Sequence, residues 1–232
     1  MGVDALVEFL RGKITFIEGN MCAAKSTLCK AIKEHFHDSE LQVHVFFEGF
    51  DAELLAKFNE NPHKYAAALQ LDQQRRCDEI IRKAREALVA SNYQCACIID
   101  RGRLGNAAFA AVHRSNGNMS ERAFREYLER YASAPAPKVL SQLECNLFTQ
   151  DGANYVFIEV EPTVAYERCK TVRKRAEESN NQLAYFEQLE RQHERYRNLV
   201  SDSTRVVLFE NNLPLVRPKD ELFELFIKAV RT

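Results

Sequence analysis

Five short apolar runs punctuate the chain: Lys13–Glu18 (KITFIE), Gln42–Glu48 (QVHVFFE), Gln94–Asp100 (QCACIID), Asn154–Val160 (NYVFIEV) and Arg205–Glu210 (RVVLFE). Each is rich in β-branched, aromatic or Cys residues and lasts about as long as a strand. Between them the apolar spacing becomes helical. Ser26–Phe36 is one such stretch, and Tyr65–Ala90 another, with Leu69, Ile80, Ile81, Ala84 and Leu88 set among Arg and Lys. Ser120–Tyr131 opens on a Ser helix cap. Tyr166–Leu199 reads as long and heavily charged, and Asp220–Val230 closes the chain. Strands alternating with helices predict an α/β fold, a parallel sheet covered on both faces. The clearest loop, Ser133–Lys138 (SAPAPK), sits inside this pattern, so residues 1–232 read as a single domain.

Composition narrows the partners. The 232 residues carry 32 Lys and Arg against 33 Asp and Glu, a formal charge of −1. That balance argues against bulk binding to nucleic acid or an anionic membrane, though it leaves room for a local basic pocket. No apolar run reaches the ~20 residues that span a bilayer, and the first residues (MGVDALVEFLRGK) lack a secretory pattern. Seven cysteines without a CxxC pair do not read as a disulfide framework or a structural zinc site. A cytoplasmic, reduced protein is expected.

Chemistry concentrates after the first run, where Gly19-Asn20-Met21-Cys22-Ala23-Ala24-Lys25-Ser26-Thr27 follows the P-loop pattern G-x-x-x-x-G-K-[ST] at every position but its second glycine. Successive backbone N–H groups in such a loop form an anion nest, and the next helix aims its positive end at the phosphates. Lys25 would reach the β- and γ-phosphates and Ser26 would hold Mg²⁺. Ala24 replaces the glycine. If that position needs a positive φ, alanine costs roughly 1–2 kcal/mol there.

Ligands of open parallel sheets bind outside the carboxyl ends of the strands. The second run ends at Glu48, and the third at Asp100 followed by Arg101. Asp100 suits a Mg²⁺-organising carboxylate, Glu48 a base for an attacking hydroxyl, and Arg101 a partner for the attacking oxygen. Further on, EPTVAYERCKTVRKRAEE holds Arg168, Arg173 and Arg175. On a regular helix Arg173 and Arg175 would point about 200° apart. They can share a phosphate only if the stretch is a loop, and a solvated helix face explains the charges equally well.

Together these pieces resemble the deoxynucleoside kinase family. Family members read FIEGNIGSGKST at the first loop, and this chain reads FIEGNMCAAKST. The family has a Glu after the second strand, [ED]RS after the third, a lid of the form RxRxEE and a helix of the form YLxxLHxxHExW. Here stand Glu48, Asp100-Arg101-Gly102, the lid set Arg173, Arg175, Glu177 and Glu178, and YFEQLERQHERY. The matches run in the family's order from about Ile14 to Tyr196.

The resemblance implies a P-loop kinase with a five-stranded parallel sheet, a lid at about 168–182, ATP and Mg²⁺ as cofactors, and ATP-dependent phosphorylation of a deoxynucleoside 5′-hydroxyl. It implies Glu48 as base, Arg101 as its steadying partner, Arg173 and Arg175 as a phosphoryl clamp, Glu178 at the sugar 3′-hydroxyl and Gln70 as reader of the base. It also implies a homodimer. The chain departs from the family at Ala24, at Gly49 where the family has proline, near Asn59 where it commonly has tyrosine, in lacking Trp, in one extra residue between Arg168 and Arg173, and in Gly102-Arg103-Leu104-Gly105. DRGRLGNAAF leans slightly towards the nucleoside monophosphate kinases, one alternative. A catalytically idle nucleotide-binding homologue is the other.

Overall fold

All five expected strands form, and they pair in parallel in the order β2-β3-β1-β4-β5. In the computed structural model, which describes residues 2–130, 153–173, 182–198, 200, 205–213 and 217–231, they are β1 (Ile14–Glu18), β2 (Val43–Phe46), β3 (Ala96–Asp100), β4 (Asn154–Glu159) and β5 (Arg205–Glu210). The Ser133–Lys138 loop, Arg175 and Glu178, and the side chain of Arg173, lie outside the described residues.

The middle strands are apolar on both faces because both faces are covered. Ile17, Ile98 and Val156 pack into one core. Their neighbours Phe16, Ile99 and Tyr155 pack into a second core on the other face. Period-two alternation in a buried strand has this result. Phe16 and Tyr155 stack across β1 and β4 with ring centroids 5.1 Å apart.

Among the described residues the helices are α1 (Gly2–Leu10), α2 (Lys25–His35), α3 (Ala52–Glu60), α4 (Pro62–Ala90), α5 (Arg103–Ser115), α6 (Glu121–Glu129), α7 (Pro162–Arg168), α8 (Leu183–Arg197) and α9 (Lys219–Arg231). Helix α4 starts on Pro62, with the Asn61 side chain accepting from Lys64 N–H, and buries Ala66, Leu69, Gln70, Cys77, Ile81, Ala84 and Leu88 at helical spacing. Ser120 caps α6 as its sequence signals.

The charged stretch over 166–199, a helix or its break on sequence grounds, is broken. Helix α7 ends at Arg168, a π-helical turn follows at Cys169–Arg173, and α8 begins at Leu183. Pro162 sets the start of α7, and burial of Arg168 against main-chain carbonyls of other elements anchors its end.

Register brings the working ends together. Ile17 lies beside Asp100 and Phe46 beside Ile99. The loops leaving β1, β2 and β3 therefore share one edge of the sheet. Among the described residues no helix is long and apolar enough to cross a membrane.

Candidate active site

The loop after β1 is built from backbone conformations that side chains resist. Gly19 has φ 135°, and a Cβ there would stand 2.5 Å from the Ile158 carbonyl oxygen. Ala24 has φ 77°, the left-handed region that its sequence position warns of, and Cys22 at φ 56° shares it. Ala24 precedes α2 without capping it through a side chain. The first N–H groups of that helix are therefore free of a side-chain cap, as an anion site requires.

Lys25 is 7% exposed and donates to the Gly19 and Asn20 carbonyls at 3.0 and 2.7 Å. Burial and the Arg101 guanidinium pull its ammonium down to about 8. Ser26 Oγ donates to Asp100 Oδ2 at 2.5 Å. Hard oxygens in contact at the head of a phosphate loop suit Mg²⁺, which takes few protein ligands and completes its shell with phosphate and water.

Glu48 stands two residues beyond the end of β2. Its Oε2 lies 3.3 Å from an Arg101 Nη1. Arg101 itself has φ 68°, its N–H donates to the Ile17 carbonyl, and its guanidinium covers the Phe109 ring at 4.4 Å. Left-handed backbone at a non-glycine residue needs support. Glu18 supplies it from beneath: it is fully buried, and its Oε1 accepts from Gly102 N–H at 3.0 Å, capping α5 from another element. Burial raises its carboxyl to about 7. A Cβ at Gly102 would stand 2.5 Å from Phe16 Cδ1 and 3.0 Å from Glu18 Oε1, so the turn is tightly packed.

Two cavities meet here. One, about 220 Å³, is lined by Cys22 to Thr27, Glu48, Asp100, Arg101, Arg168 and Val172. The other, about 200 Å³, runs past Met21, Phe50, Asn59, Gln70, Phe109 and Tyr185. Ser26, Glu48, Asp100 and Arg101 belong to both. Of the residues marked in the sequence, Gly19 and Asn20 line neither of these two cavities. Asn20 donates to the Phe186 carbonyl and to Glu190.

Three side chains have structural roles here that no sequence pattern assigns. Glu18 is one. Arg168, 3% exposed, donates to the carbonyls of Cys22, Asn211 and Leu213. Asn211 donates to the Ala23 carbonyl at 3.1 Å. Position offered a signal for the last, since Asn211 directly follows the carboxyl end of β5.

A five-stranded parallel sheet with this loop at the head of α2 defines a P-loop kinase. The deoxynucleoside kinase family model matches residues 15–231, and the chain belongs to that family. The match carries the activity as a class, phosphorylation of a deoxynucleoside. No curated sequence matches significantly. Among solved structures, the deoxyadenosine kinase of M. mycoides with bound dATP is 17% identical, with a TM-score of 0.69 over 94% of this chain and 100% of that one. The same enzyme with bound dCTP gives 18% and 0.65 over 94% and 98%. These similarities establish the fold.

Proposed function

We propose that this kinase moves the γ-phosphoryl group of ATP to the 5′-hydroxyl of a deoxynucleoside at the junction of the two cavities. The observation that carries the reading is the Glu48–Arg101 pair, which forms the wall common to both. ATP phosphates lie in the nest of residues 22–27, with Lys25 against the β- and γ-oxygens. The acceptor lies in the second cavity with its 5′-oxygen at Glu48, which takes the proton as the oxygen attacks. Arg101 steadies that oxygen. Mg²⁺, held by Ser26 and Asp100, neutralises polyphosphate charge when bound. By resemblance, Arg173 and Arg175 clamp the transferring group, Glu178 meets the 3′-hydroxyl and Gln70 meets the base. Most of the rate comes from positioning and electrostatics.

The M. mycoides relatives are deoxyadenosine kinase with bound dATP and with bound dCTP, so deoxyadenosine and deoxycytidine lead the acceptors to try, with thymidine beside them. A single domain over 1–232, a homodimer and a cytoplasmic location come from the sequence reading and the family resemblance. The family match does not favour the nucleoside monophosphate kinase alternative.

The test is Glu48→Ala. Turnover should vanish on every acceptor while ATP still binds; near-normal kcat overturns the base assignment. A panel of deoxynucleosides and deoxynucleotides with labelled ATP shows which acceptors become labelled. ATP binding without product on any of them identifies an idle homologue.

A further inference from the structure

The acceptor cavity has both charged and neutral lining. Glu48, Asp100 and Arg101 supply the charge, and Phe58, Gln70, Gln73, His113 and Tyr185 are among the neutral residues. Helix α5 sets the spacing between Arg101 and His113. The Arg101 guanidinium lies over Phe109, and His113 sits one turn further along the same face, about 6 Å. That separation matches the reach from a 5′-carbon to the ring of a base.

His113 is 3% exposed, and its Nδ1 has no hydrogen-bond partner among the described residues. The Oε1 atoms of Gln70 and Gln73 are buried without a partner as well. Buried polar atoms are nearly always paired, and these three belong to residues that line one cavity, where a ligand can supply the bonds once the side chains turn towards it. Rings frame the imidazole. Phe58 meets it edge-on at 4.9 Å, and Tyr185 lies 6.3 Å away at 32°. A planar heterocycle suits such ring faces.

We propose that His113 contacts the nucleobase of the acceptor and, together with Gln70, decides which base is accepted. The proposal rests on the deoxynucleoside reading above. Burial holds the imidazole down at about 4. At neutral pH it therefore carries one N–H donor and one ring-nitrogen acceptor, which suits the mixed edge of a base.

The experiment compares wild type, His113→Leu and His113→Gln on four deoxynucleosides with ATP. In His113→Leu the KM for the preferred deoxynucleoside should rise about tenfold, a single hydrogen bond's worth. The KM for ATP should stay within about twofold, and the ranking of the four bases should change. His113→Gln should recover part of the loss. An unchanged ranking and KM, or a loss falling equally on ATP and all four acceptors, overturns the proposal. Should His113→Leu fail to fold, nitrogen-15 spectra of wild type decide. Adding the preferred deoxynucleoside must move the His113 ring resonances, assigned by their absence in His113→Gln, and stationary resonances overturn the proposal. A wild type idle on all four acceptors removes the function reading, and this proposal with it. An active wild type with an indifferent His113 removes the proposal alone.

Discussion

Ser26 Oγ donates to Asp100 Oδ2 at 2.5 Å. This contact joins the first turn of α2 to the end of β3, so the phosphate loop and the acidic strand end form one rigid unit. Asn in place of Asp100 keeps an oxygen that can accept from Ser26 but removes the negative charge. Asp100→Asn should therefore fold normally, lose about a hundredfold or more in kcat and need more Mg²⁺ to reach its half-maximal rate. A Mg²⁺ titration of turnover alongside a melting curve checks this. A normal Mg²⁺ dependence removes Asp100 from the metal site.

Ala24 holds φ 77° in the position where the P-loop pattern has its second glycine. The left-handed region costs an L-residue with a Cβ roughly 1–2 kcal/mol, while glycine gives back part of that gain through a freer unfolded chain. Ala24→Gly should therefore stabilise the protein by up to about 1 kcal/mol. ATP affinity should hold or improve, because the nest is already in place. Thermal or denaturant unfolding reads the gain. A destabilised Ala24→Gly shows that the Ala24 methyl, which packs against the main core, outweighs the strain.

Much of this was legible in advance, and what was not has a physical cause. Apolar runs of strand length mark all five strands, because a sheet covered on both faces writes continuous hydrophobic stretches. The phosphate loop and Asp100-Arg101 stand out because strand ends in a parallel sheet collect the chemistry. Glu18 was hidden because it closes an apolar strand and reads as the boundary of KITFIE. Its role depends on Gly102, 84 residues away, at the turn from β3 into α5. Arg168 looked like one more lid arginine, yet its acceptors are carbonyls at 22, 211 and 213, which no local pattern reveals. The break after α7 was ambiguous for a similar reason. The spacing between Arg168 and Arg173, one residue longer than in the family the chain resembles, coincides with the π-helical turn at Cys169–Arg173, and an i→i+5 turn holds one residue more than an α turn.

Buried titratable groups give the stability a pH signature in which opposite slopes overlap. Glu18 is raised to about 7 from an ordinary value of 4.5. Between those values the folded protein holds a proton that the unfolded chain has released. Its contribution is thus fully present below pH 4.5 and is lost as pH rises through 7. His113, lowered to about 4 by burial, works the other way. It adds stability above pH 6.5 that is lost as pH falls through 4. His193, also buried and held well below its ordinary value, adds to the same slope. In wild type these terms oppose one another between pH 4.5 and 6.5, so the profile there is flatter than the histidines alone would make it. Glu18→Gln keeps a carbonyl oxygen for Gly102 N–H and removes the titration. The stability of Glu18→Gln relative to wild type should climb from pH 4.5 to pH 7, by at most about 3 kcal/mol, and stay level above. Urea unfolding of both proteins across that range measures the difference. A constant difference means that Glu18 does not titrate there, and leaves its Gly102 bond as its whole contribution to the turn that carries Arg101.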